Sequence, residues 1–140
     1  MLKIKPLKEI KSPSKAHSGD AGWDVYSLED KLLHPNSLYR FKLGFAIIGI
    51  PGKVYQVEGK SGLAEKGLTT IGNVIDNQYR GEVSALLINL SNTDKFIEKG
   101  DKIAQILVKN VEDDNILIID TNPLTLTDRG EKAYGSSGKN

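Results

Sequence analysis

The sequence contains no cysteine, one tryptophan, one methionine and only 6% aromatic residues, and each shortage narrows what the protein can be. Without thiols there are no disulfides, no thiolate zinc sites, no iron–sulfur clusters and no cysteine nucleophile. Charge of one sign is also lacking: 19 basic residues stand against 18 acidic ones, a formal net charge of +1. No global field draws nucleic acid or an anionic membrane, so any anion must be held by a local pocket. The segment from Met1 to Lys15 lacks the apolar stretch of a secretory signal, and no run approaches the roughly 20 apolar residues of a membrane span. A cytoplasmic or nuclear location is expected, whether a cell or a virus encodes the chain. What is present is 140 residues, 39% hydrophobic and 26% charged, the profile of one globular domain. A chain of this size buries about 68–70% of its unfolded surface, enough for a single core without metal staples.

Fourteen scattered glycines and five prolines cut the chain into short pieces, which suits strands better than helices. The pieces are Leu38 to Ile50, Lys53 to Glu58, Glu82 to Leu90, Lys102 to Lys109 and Ile116 to Ile119, all rich in aliphatic and aromatic residues. None sustains the i, i+3, i+4, i+7 pattern of an amphipathic helix. Lys53 to Glu58 alternates imperfectly and reads as a strand with one wet face. Ala85 to Ile88 is apolar throughout and reads as a strand buried on both faces. The expected fold is all-β, a sandwich or barrel, with one helical turn at Ser61 to Lys66 capped by the Ser61 hydroxyl. Domain limits of 1–126 for the β domain and 127–140 for a tail follow from composition, because the tail offers almost nothing to a core. The tail reads either as a frayed terminus or as a flap whose single aromatic, Tyr134, closes over an anionic aromatic ligand beside Arg129 and Lys132.

Two segments invite chemistry. Gly59–Lys60–Ser61–Gly62 resembles part of a phosphate loop, but Val54 stands where that loop needs its first glycine. A lysine and a serine at a helix start can still meet phosphate, although an ordinary polar turn has the same composition. Gly72 to Gly81 reads as a hairpin, with Val74 and Ile75 leading in and Asp76 and Tyr79 near its tip. There Asp76 is either a turn-former or a functional carboxylate. His17 and His34 sit in polar loops and read as surface residues. Asp20 and Asp24 flank Ala21–Gly22–Trp23, where they could face a magnesium ion or cap a turn.

The order of these pieces resembles the five motifs of the trimeric dUTPase family. Asp20 to Ser27 is similar to the first motif, Gly59 to Ala64 to the second, Gly72 to Val83 to the third, Lys99 to Leu107 to the fourth, and Arg129 to Gly138 to the fifth. Lys60 stands where arginine is usual, as in some retroviral members that share the short spacing to the third motif. Asn73 stands where glycine is common, and Lys132, Ala133 and Tyr134 replace Gly, Gly and Phe. Lysine keeps the charge but loses the bidentate fork. Asparagine tolerates positive φ less freely than glycine.

The resemblance implies a β jelly roll, assembled as a homotrimer with shared active sites, that hydrolyses dUTP to dUMP and pyrophosphate with Mg2+. This keeps uracil out of DNA and supplies dUMP for dTMP synthesis. It implies Asp76 as the catalytic base and Asp24 as a ligand to magnesium through water, the triphosphate holding most of the metal. Substrate contacts are implied for Lys60, Ser61, Gly62, Asn73, Val74, Ile75, Asp76, Tyr79 and Gln105, and for Arg129, Lys132, Tyr134, Gly135, Ser136 and Ser137 of the tail. The first, second and fourth motifs would come from one subunit, the third from another and the tail from a third. The rivals are a dCTP deaminase of the same fold, which needs an acid/base that Gly67 to Gly72 does not supply, and a non-catalytic nucleotide-sensing interaction protein.

Overall fold

The structure is a computed structural model that describes residues 1–112 together with 116, 118 and 127. Turn residues punctuate it as the sequence leads one to expect, giving eleven short strands and one helical turn among the described residues. These are β1 (Ile4–Pro6), β2 (Trp23–Tyr26), β3 (Lys31–Leu33), β4 (Leu38–Lys42), β5 (Phe45–Ile47), β6 (Lys53–Glu58), α1 (Ser61–Ala64), β7 (Leu68–Ile71), β8 (Val74–Asp76), β9 (Ser84–Asn89), β10 (Lys95–Ile97) and β11 (Lys102–Asn110). Every strand pairing is antiparallel. Four strands form one sheet in the order β2-β11-β6-β8 and three form another in the order β4-β9-β7, with two separate ribbons, β1-β5 and β10-β3. This is the jelly roll.

The core is where alternate residues of these strands meet. Tyr55, Phe41, Phe45, Leu33, Leu87, Ile103 and Ile106 are fully buried, each contributing roughly 1.5–3 kcal/mol of apolar burial for the aliphatic and phenyl side chains. Tyr55 can lie inside because its hydroxyl accepts a hydrogen bond from the Ile50 amide at 3.1 Å. Asn89, also fully buried, spends both donors of its amide on the Leu33 and Thr93 carbonyls, at 2.9 and 2.8 Å. Its carbonyl accepts from the Ser91 amide and hydroxyl. Every polar group of the side chain is thus satisfied, and the β3-β10 ribbon is tied to the end of β9.

Several local expectations are corrected. Leu38 to Ile50 is two strands, because Gly44 takes φ +75° and hands the chain from β4 to β5. In β9 only Ala85, Leu87 and Asn89 are buried, while Leu86 and Ile88 are partly exposed. A uniformly apolar run cannot itself say whether its second face is covered. Gly72 to Gly81 is not a hairpin: β8 pairs with β6, whereas β9 pairs with β4 and β7. The turn at Asp76, closed by the Tyr79 amide on the Asp76 carbonyl at 3.1 Å, carries the chain between sheets. The Ser61 hydroxyl does not cap α1; Lys60 is the N-cap residue and no side chain bonds there. His17 and His34 are exposed, as expected. The tail with Arg129, Lys132, Tyr134, Gly135, Ser136 and Ser137, and most of Ile116 to Ile119, lie outside the described residues. No helix among the described residues is long and apolar enough to cross a membrane.

One contact couples the core to the turn at Asp76. A Cβ on Gly49 would lie 1.7 Å from the Asn77 carbonyl oxygen, so backbone touches backbone there and only glycine fits. Gly49→Ala is expected to destabilise the fold by about 1–3 kcal/mol, as overpacking does, and to lower turnover by displacing Asp76. Urea denaturation and kinetics at a temperature where the variant stays folded check both effects.

Candidate active site

Strand β11 brings three separated segments into one row. Gln105 lies opposite Asp24 on β2 and opposite Glu58 on β6, immediately before Gly59, Lys60 and Ser61. The register with β2 shifts between Lys102 and Ala104, a bulge that lets Ile103 and Ala104 both face the core. Lys102 is thereby turned to the same face as Gln105. The Gln105 side chain donates to the Gly59 carbonyl at 3.0 Å, and Gly22 leaves room for it, since a Cβ there would fall 2.5 Å from Gln105 Oε1.

Asp24 is the electrostatic centre of this row. It is only 6% exposed, and both carboxylate oxygens are taken: Lys60 Nζ donates to Oδ1, and Lys102 Nζ lies 2.8 Å from Oδ2. Burial pushes the Asp24 carboxyl up, but the hydrogen bonds and charges of Lys102 and Lys60 outweigh it and hold the group below its ordinary range. The same hydrogen bond to Asp24, followed by its charge, raises the Lys102 ammonium. A cavity of about 330 Å³ opens here, lined by Asp24, Lys60, Ser61, Lys102 and Gln105 among others. Two ammonium groups, a hydroxyl and an amide around one buried carboxylate can hold a polyphosphate. Gly62 lies beside this cavity in α1 but does not line it.

The other half of the expected site is elsewhere. Val74, Ile75, Asp76 and Tyr79 line a second cavity of about 200 Å³, with Glu82 and Leu86. The Tyr79 ring lies against Gly81, where a Cβ would meet the phenol oxygen at 2.2 Å, and its hydroxyl donates to the Glu82 carbonyl at 3.3 Å. Asp76 ends β8, an edge of the four-stranded sheet, while Asp24 is on β2 at the opposite edge. Three strand spacings make about 14 Å, and the four residues separating Glu58 from Val54, the partner of Asp76, add about 13 Å along the strands. One chain therefore does not bring Asp24 and Asp76 to the same phosphate.

Asn73 carries no positive φ; the left-handed residue is its neighbour Gly72, at φ +64°. The asparagine thus costs no backbone strain. Its carbonyl accepts from the Val57 amide at 2.9 Å, while its side-chain Oδ1 is buried with no partner. Sequence reasoning missed Lys102 and Glu82. The signal for Lys102 was its place after Gly100–Asp101, but its facing depends on the bulge. Glu82 accepts from the Gly44 amide at 3.0 Å and lies within 3.7 Å of both Lys8 and Lys42, fixing the β4-β5 turn behind the second cavity.

No group of three or more His, Cys, Asp or Glu side chains is placed to hold a metal ion among the described residues. The donor set fits a hard cation held mainly by another oxygen-rich group, with Asp24 as a single carboxylate partner.

The chain is similar to known proteins along almost its whole length. The dUTPase family model matches residues 8–138. The chain is 40% identical over 134 residues to the deoxyuridine 5'-triphosphate nucleotidohydrolase of Clostridium kluyveri, covering 94% of this chain and 92% of that protein. Its fold matches the Staphylococcus bacteriophage 80alpha dUTPase solved with dUpNHpp, with a TM-score of 0.87 at 24% identity and 99% of each chain covered. It also matches a dUTPase of phage phi11 of S. aureus whose structure describes a structural Mg(II) ion, with a TM-score of 0.80 at 21% identity over 87% of this chain and 98% of that one.

The depressed Asp24 ionisation fixes a pH dependence. A carboxylate whose folded pKa lies below its unfolded value contributes stability above the unfolded pKa and loses it as the pH falls through the folded one. Asp24→Asn is therefore expected to be less stable than wild type at pH 7, with the difference closing as the pH drops below the ordinary carboxylate range. Chemical denaturation across that range is the measurement.

Proposed function

The chain belongs to the dUTPase family and hydrolyses dUTP to dUMP and pyrophosphate, and we propose that its two cavities are halves of different active sites, completed by neighbouring copies in a homotrimer. The observation that carries this reading is the separation of Asp24 and Asp76 at opposite edges of one sheet. The outer face of the three-stranded sheet supports it. Leu38 pairs with Ile88 and Ile71 with Leu86, and these four side chains form an apolar stripe on the solvent side, with Leu38 and Ile71 exposed. A second copy would bury that stripe.

In the proposed site, Lys60, Ser61 and Gln105 of one copy hold the triphosphate, and Gly62 beside the cavity meets it only where the phosphates reach past its rim. The 200 Å³ cavity of the next copy takes the deoxyuridine. Backbone groups from Asn73 to Ile75 face the acceptor, donor, acceptor edge of uracil. Cytosine mismatches two of those groups, at roughly 1–3 kcal/mol each. The Tyr79 ring underlies the sugar and leaves no room for a 2′-hydroxyl. Asp76, exposed at the strand end, orients the attacking water and accepts its proton. Magnesium, when bound by the phosphates, supplies charge neutralisation at the triphosphate. Asp24 would hold one of its waters. The tail of a third copy, with Arg129, Lys132, Tyr134, Gly135, Ser136 and Ser137, closes over base and phosphates. A nucleotide substrate fits a cytoplasmic or nuclear compartment. Deamination of dCTP is disfavoured, because Gly67 to Gly72 carries no acidic side chain.

Asp76→Asn keeps the shape but not the basicity of the group, so nucleotide binding should persist while turnover falls about 10²–10⁴-fold. Co-expression of Asp76→Asn with Ser61→Ala, each poorly active alone, should restore about a quarter of the sites if copies mix at random. No recovery in mixed trimers would place both halves in one chain. Tyr79→Ala should raise kcat/KM for UTP relative to dUTP about tenfold or more. Steady-state kinetics with both nucleotides decides this, an unchanged ratio showing that sugar selection lies elsewhere.

A further inference from the structure

Asp24 is the point of interest, because its two lysines are not equivalent. Lys102 stems from a strand, fixed at a bulge by core residues on its C-terminal side. Lys60 is the extended N-cap residue of a four-residue helical turn, on a loop between elements. It is also the cation that the proposed function assigns to phosphate. In this structure its ammonium is engaged on Asp24 Oδ1. A hydrated divalent cation approaching Oδ1 repels that ammonium. Of the anions then open to it, Asp20 also lines the cavity but is already engaged by the His17 amide at 2.9 Å, and the incoming polyphosphate carries the larger charge. Lysine suits such a transfer, since its flexible stem moves a compact charge with no planar fork to reorient.

We infer that Lys60 is held in reserve on Asp24 and passes to phosphate as the cation takes over Oδ1, while Lys102 keeps Oδ2 as a positioning residue. The inference rests on the reading of this cavity as the phosphate half-site. Asp24 is then never left as an unpaired buried charge, because Lys102 at 2.8 Å holds it through the change of partners. Cation and nucleotide consequently bind with positive coupling, each removing an obstacle to the other. A lysine at position 60 thus has a role beyond replacing an arginine: it is the movable member of a three-charge relay.

The test is equilibrium binding of the non-hydrolysable analogue dUpNHpp by calorimetry, with and without Mg2+, to wild type, Asp24→Asn, Lys60→Met and the double variant, each checked for folding by thermal melting. Asp24→Asn should tighten Mg-free binding by about threefold or more and weaken the response to Mg2+, whereas on the Lys60→Met background most of that gain should vanish. Equal gains on both backgrounds would mean simple removal of a negative charge and would overturn the exchange, as would an unchanged or weaker Mg-free affinity in Asp24→Asn. In wild type, which avoids any folding defect, the side-chain ammonium NMR signal of Lys60 should shift on adding dUpNHpp with Mg2+ while that of Lys102 stays. Movement of Lys102 with Lys60 fixed would also overturn it. Failure of wild type to bind dUpNHpp at all would instead remove the nucleotide half-site itself.

Discussion

The pairing of β11 with two partners at once is the constraint on which the rest of the molecule depends. A strand in the middle of an antiparallel sheet has no freedom of register, because a slip of one residue turns its whole apolar side to water. Ile103, Ala104 and Ile106 are all completely buried, so the position of Gln105 between Asp24 and Glu58 follows from the core rather than from any polar contact. The polar row of the site is the other face of a packing solution. Its precision is inherited from aliphatic side chains that never touch a ligand.

Electrostatics then works within this frame. A carboxylate with 6% of its surface exposed is costly unless paired and hydrogen-bonded, and the two lysines meet that requirement. With Asp20 the charged lining of the cavity is two lysines against two aspartates, so what the cavity offers a polyanion is directed ammonium, hydroxyl and amide donors rather than an excess of positive charge. The second cavity is different in kind. It is shaped by backbone and by glycine contacts, Gly81 beneath Tyr79 and Gly72 at positive φ, and suits a neutral ring and sugar better than a charged group.

How much of this could be read in the sequence depended on the range of the interaction involved. The strand Lys53–Glu58 was legible to the residue, and Lys102 to Lys109 fell one residue short of β11, because glycine and proline punctuation is local. The segments proposed for the site stand out in the sequence because short polar runs at Asp24, Lys60 to Gly62 and Asp76 to Tyr79 differ from the aliphatic strands around them, and the structure brings Asp24 and Lys60 to one cavity and Asp76 and Tyr79 to another. Pairing was not. Nothing between Gly72 and Gly81 states that β8 turns to β6 rather than to β9, since both choices satisfy the same alternation. Lys102 escaped notice because one extra residue in a ladder decides the side it faces, and a bulge leaves no mark in the residue types at that point. The burial of β9 was overstated because Leu86 and Ile88 are apolar whether their face meets the core, a second copy or water. The Ser61 hydroxyl reads as a cap in the sequence because serine is a favoured capping residue, whereas the helix starts one residue earlier than that reading needs, with Lys60 at the N-cap.

The position of β11 in the sheet has a consequence for how the protein is made. Of the described strands it is the last to be synthesised, yet it lies between β2 and β6. Until it emerges, those two strands present unpaired edges with no partner in the nascent chain. At about 5–20 residues per second, the interval between Trp23 and Asn110 lasts roughly 4–17 s. During that time the edges that later form the site are open to any other strand, including those of neighbouring nascent chains. Closure of the sheet is thus a late event, made of contacts between distant parts of the sequence, and belongs to the slow end of single-domain folding.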